Sequence, residues 1–159
     1  GVNENVADLF IANGVYTPRE QTLIVLSLEK MSKTAGRAEY IKLATVTNDI
    51  DMAFFRQRQA EMYAAYNAKV QPVSSFVAVG STSAGMTQNG NIVFTVPLDH
   101  LLWTKGIAGV IRTATQNVAM MKGVNERHLL ISGTASDQAR QELAKMGWKV
   151  QENSDAMLF

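Results

Sequence analysis

Hydrophobic spacing divides this chain near Pro72: helical periods dominate before it, and strand periods alternate with helical stripes after it. Residues 2–12 read as a short helix closed by Asn13-Gly14. Thr17-Pro18-Arg19-Glu20 is the clearest helix start in the chain. Thr17 can cap, Pro18 suits the first turn, and Glu20 stands where a capping box needs it. The stretch 22–28 is apolar almost all round, and the capping box upstream assigns it to a buried helix. Residues 35–70 are again helical, with an expected break at Thr45-Val46-Thr47, followed by Asn48-Asp49. Beyond the break, Met52, Phe55, Gln59, Met62 and Tyr66 share a helical spacing, while Gln57, Arg58 and Glu61 lie on another side. That apolar face requires a partner, and a sheet is the expected one.

After Pro72, residues 73–79 and 91–97 carry β-branched and aromatic side chains in strand patterns. Residues 80–90 are rich in turn formers and end in Asn89-Gly90, which predicts a hairpin with a long tip. Residues 98–121 read as a helix with the stripe Ile107, Val110, Ile111, Ala114, Val118 and Met121. His128 to Ser132 is a nearly continuous apolar run, as a strand covered on both faces requires. Gly133 breaks it. Thr134, Ser136 and Asp137 are of helix-capping type, and Ala139, Leu143 and Met146 fall on one helical face. Gly147 suits a left-handed helix end, and Trp148 and Val150 then alternate with Lys149 and Gln151. Two βαβ units follow, which implies parallel pairing of right-handed sense. The fold class expected is α/β: a small mixed sheet of about four strands, three parallel and one an antiparallel edge strand from the hairpin. Helices pack it, and one domain over 1–159 joins a helical half, 1–71, to a mixed half, 72–159.

Composition narrows the chemistry. The 159 residues suffice for one domain with its own core. A formal net charge of +1 argues against a dedicated nucleic-acid surface. Arg56, Arg58, Lys69, Lys30, Lys33, Arg37 and Lys42 interleave with Tyr63 and Tyr66, but Asp49, Asp51 and Glu61 dilute them, so they read as a solvated helix face. The absence of cysteine excludes disulfides, thiolate nucleophiles and thiolate metal sites. No apolar run approaches the length of a membrane span, so no membrane insertion is expected. The eight methionines sit at apolar helical positions and read as core filling. Gly1 in place of an initiator Met suggests a piece of a larger, bacterial protein.

Ligands of open parallel sheets gather beyond the carboxyl ends of the strands. Those ends are Pro97-Leu98-Asp99-His100, Ser132-Gly133-Thr134 and Glu152-Asn153, and they bring Asp99 and His100 near Ser132, Thr134, Ser136 and Asp137. A His beside an Asp can exchange protons, and a helix opening near Ser136 offers N–H groups to an anion. The plainer reading is that Asp99 caps a helix and Ser132-Gly133-Thr134 is a loop. His100 and His128 fall on opposite edges of the sheet, roughly 10 Å or more apart at about 3.3 Å per residue, so no shared metal is expected. Neither metal nor cofactor is assigned. The loop 80–85 lacks both the G-x-S-x-G elbow and a phosphate-binding Gly-Lys-Ser/Thr. A helix cannot bury both of Phe54-Phe55, nor all of Leu101-Leu102-Trp103, on one face, which marks Phe55 and Trp103 as candidate interface residues. The expected function is a non-catalytic binding or scaffolding domain whose partner is another protein, another domain of its parent or a second copy. The alternative is a small α/β enzyme, or an anion- or small-ligand-binding domain, that uses the sheet edge.

Overall fold

The computed structural model describes all residues, 1–159. The first half is four helices: α1 (Glu4–Ala12), α2 (Pro18–Lys30), α3 (Arg37–Thr45) and α4 (Ile50–Lys69). Their starts follow local chemistry. Thr17 Oγ1 accepts from Glu20 N while the Glu20 carboxylate accepts from Thr17 N, a complete capping box. Asp49 caps α4 through Met52 N, so the break expected near 45–49 is a true helix boundary.

The second half runs β1 (Val73–Val79), β2 (Thr82–Thr87), β3 (Asn91–Val96), β4 (His100–Leu101), α5 (Lys105–Ala119), β5 (Glu126–Ile131), β6 (Thr134–Ala135), α6 (Asp137–Lys145), β7 (Trp148–Gln151) and α7 (Ser154–Leu158). The main sheet has five strands in the order β1-β2-β3-β5-β7. β3, β5 and β7 are parallel neighbours, and β2 is antiparallel to both β1 and β3. Gly147 closes α6 at φ 81°, in the left-handed region its position requires.

Strand alternation builds two cores. Val93 and Leu130 face α1–α4, while Ile92, Phe94, Leu129 and Ile131 face α5 and α6. Both crossover helices lie on one face because both units step the same way along the sheet with the same hand. The long α4 covers the other face. Tyr63 is fully buried there, with its ring edge-on to Phe76 at 5.2 Å and its hydroxyl 3.0 Å from Ser83 O and 3.1 Å from Val93 O. Burial removes water from that phenol and pushes its pKa well up. No helix is long and apolar enough to cross a membrane.

The structure corrects several expectations. The long hairpin tip is itself a strand: β2 sits inside the sheet, so five strands replace four and the antiparallel strand is not at an edge. Its Ser83, Ala84 and Gly85 are buried, and small side chains are what the space permits. A Cβ on Gly85 would stand 3.1 Å from Val73 Cγ1 and 3.5 Å from Tyr63 Cε1. The helix expected over 98–121 starts only at Lys105, capped by Thr104, because the chain first extends through β4. Val110 leaves the apolar stripe and is 66% exposed. The helix α2 is buried on one side only, leaving Val25 and Leu26 outside. Arg56 is no part of a solvated face; it is 7% exposed. The hydrophobic pattern gives no sign of the short α7; Leu158 seals it against the first core.

Candidate functional site

At the carboxyl edge the parallel pairing of β3 and β5 does not stop at Val96 and Ile131. Ser132 N donates to Val96 O at 3.0 Å, Gly133 N to Leu98 O at 2.9 Å, Thr134 N to Asp99 O at 3.0 Å and Ser136 N to Leu101 O at 3.0 Å. The small β4–β6 pair is the continuation of that ladder, with His100 opposite Thr134. Asp99, His100, Ser132, Thr134, Ser136 and Asp137 therefore lie together along one zipped seam. Asp99 takes part through its backbone carbonyl.

All of these side chains but that of exposed Asp99 have a protein partner. His100 Nδ1 lies 2.7 Å from Thr134 Oγ1. Ser136 Oγ accepts from Ala139 N and caps α6. Ser132 Oγ lies 3.4 Å from Met62 Sδ. Glu152, at the strand end expected to join this edge, pairs there with Arg140, which sequence reasoning did not single out. Glu152 accepts from Ala135 N at 2.6 Å, from Arg140 Nε at 2.7 Å and from Arg140 Nη2 at 2.9 Å. Arg140 Nη1 donates to Asp137 Oδ1 at 2.6 Å. The fork of Arg140, and then the Ala135 amide, hold the Glu152 carboxyl down at about 2. Arg140 is raised in turn, chiefly by its hydrogen bond to Glu152. Arg140 sits one turn after Asp137, and that spacing was the available signal.

An acid–base pair would need a carboxylate on the imidazole, but the neighbour of His100 is a hydroxyl. An anion approaching the start of α6 meets Asp137 and Glu152 already in place. His128, bonded to Glu126 at 2.7 Å, stands opposite Val93 near the amino end of the sheet, away from His100.

Two surface grooves lie elsewhere. One, of about 650 Å³, runs between the β1–β2 turn and α5, past Gly80, Thr82, Lys105, Gly109 and Asn117. The other, of about 460 Å³, runs between α1 and α2, past Phe10, Ile11, Val25, Leu26 and Ile41. Phe55 and Trp103 are half-buried, and it is their neighbours Phe54 and Leu102 that stand out, 56% and 55% exposed. No protein-family model, curated protein or solved structure matches this chain.

Proposed function

We propose that this is a non-catalytic binding domain that docks an apolar segment of another protein, or of another domain of its parent chain, in the α1–α2 groove. One observation carries the reading. Ile11 on α1 and Val25 and Leu26 on α2 are 68%, 42% and 46% exposed, and all three line the one groove between these helices. Scattered single apolar residues are ordinary at a surface, but a contiguous patch beside a groove marks a contact. Glu29 is the one ionisable residue in the groove lining, so the matching surface is apolar, as the face of an amphipathic helix is. The carboxyl edge supports the same reading, because Thr134, Ser136, Asp137 and Glu152 already have protein partners there.

Site-specific photocrosslinking in cells that make the protein tests this. A photoreactive residue at Leu26 is expected to give one discrete adduct, while the same residue at exposed Gln141 on α6 gives none. An adduct of twice the mass of the chain identifies a second copy as the partner. No adduct at either Ile11 or Leu26 refutes the reading.

A further inference from the structure

We infer that Arg56 holds an oxyanion, a carboxylate or a phosphate, where the end of α3 meets α4. Arg56 is 7% exposed, yet only its Nε has a protein acceptor, Thr47 Oγ1 at 2.7 Å. The guanidinium carries five N–H donors, so four remain on its two terminal nitrogens. No carboxylate reaches them, although Arg58 pairs with Glu61 and Asp155, and Arg140 with Asp137 and Glu152. Arg37 and Arg127 give their terminal nitrogens to the carbonyls of Leu28 and Met146. Arg56 alone among these is both buried and unpaired.

A mostly buried guanidinium with free donors favours an anion that can use them. The carbonyls at the end of α3 offer little relief. Tyr16 Oη donates to Ala44 O at 3.1 Å, and Asn13 Nδ2 donates to Thr45 O at 3.2 Å and Thr47 O at 2.9 Å. Nor are the terminal nitrogens sealed in, for Asp155 Oδ1 is the only fully enclosed side-chain atom that lacks a partner. They therefore touch solvent, the side from which an anion would come. Their planar fork matches two oxygens of one carboxylate or phosphate.

Position agrees with chemistry. The helix α4 runs against the direction of β3: Tyr63 meets Val93, and Gln59 Nε2 donates to Thr95 O at 3.1 Å. Arg56 lies about one turn further on, at the level of the carboxyl end of β3. Open parallel sheets hold ligands at that end. The Arg56 fork owes nothing to the α1–α2 groove, and either can exist without the other.

Thermal unfolding at fixed ionic strength and neutral pH tests this, with chloride exchanged for phosphate in one arm and for acetate in the other. At ten times its dissociation constant a bound anion shifts the folding equilibrium about elevenfold, which raises Tm by about 3–6 °C in a chain of this size. Wild type is expected to respond in at least one arm, and the arm identifies the oxyanion. Arg56→Met removes the cation and should lose the response while keeping a chloride Tm at or above that of wild type. Arg56→Lys keeps the charge without the fork and should need about tenfold more anion for the same rise. The Nε–Hε signal of Arg56 in wild type should shift with the same concentration dependence, which decides the matter if Arg56→Met fails to fold. A wild type indifferent to both anions, or an Arg56→Met protein that responds equally, overturns the assignment.

Discussion

Gly133→Ala probes the seam at the carboxyl edge. Gly133 sits between the last residue of β5 and the first of β6, and its backbone is not left-handed, so only space forbids a side chain there. An added Cβ would overlap the carbonyl oxygen of Asp99 and stand 2.5 Å from its carbonyl carbon. Both obstacles are backbone, so relief means separating β4 from β6. The bonds at stake are Gly133 N to Leu98 O at 2.9 Å, Thr134 N to Asp99 O at 3.0 Å and Ser136 N to Leu101 O at 3.0 Å. At about 1 kcal/mol net each they total about 3 kcal/mol. Alanine restricts the unfolded chain and returns about 0.4–1 kcal/mol. The expected loss is about 2–3 kcal/mol in a urea titration, read as a lower midpoint at unchanged slope. Gly109→Ala is the control: nothing lies within 4 Å of its added Cβ, and in mid-helix it should stabilise by up to about 1 kcal/mol. A Gly133→Ala protein within about 0.5 kcal/mol of wild type would refute the seam, since surface changes of no consequence fall in that range.

Three further outcomes follow from single contacts. Thr17→Ala removes the capping box of α2 and should cost about 0.5–2 kcal/mol in the same titration. Tyr63→Phe leaves Ser83 O and Val93 O short of a buried donor, with an expected loss of about 1–3 kcal/mol and a native fold by circular dichroism. Glu152 titrates near 2 against an ordinary 4.5, so its contribution is complete above 4.5 and is lost as pH falls from there toward 2. Glu152→Gln should therefore flatten the acid slope of stability over that interval. Glu126, lowered chiefly by Lys149, adds to the slope of both proteins but not to their difference.

Much of this architecture is written in local signals. The Thr17–Glu20 box, the break before Asp49, the Ser136 cap and Gly147 act through their own backbone neighbours, so their types alone indicate the result. The parallel order of β3, β5 and β7 was legible because crossover helices leave few other topologies. Long-range packing decided the rest. β2 is coded by small residues that look like a loop until Tyr63 and Val73 are placed over them. The extended segment 98–104 owes its shape to hydrogen bonds from residues 133–136, far along the chain. The sequence brought Asp99, His100, Ser132, Thr134, Ser136, Asp137 and Glu152 to one edge, but showed neither the β4–β6 pairing nor the part of Arg140. Arg56 reads as one more solvated cation until its burial and its lack of a counter-ion are seen together.

Native-state hydrogen exchange of the amides of residues 132–136 is the sharpest test of this edge. If the β3–β5 ladder continues through β4 and β6, the amides of Ser132, Gly133, Thr134 and Ser136 share the slow exchange of Leu129 to Ile131, and Ala135, held by Glu152, joins them above the acid range. Exchange at the rate of an exposed loop would show the edge to be open and contradict the continued ladder.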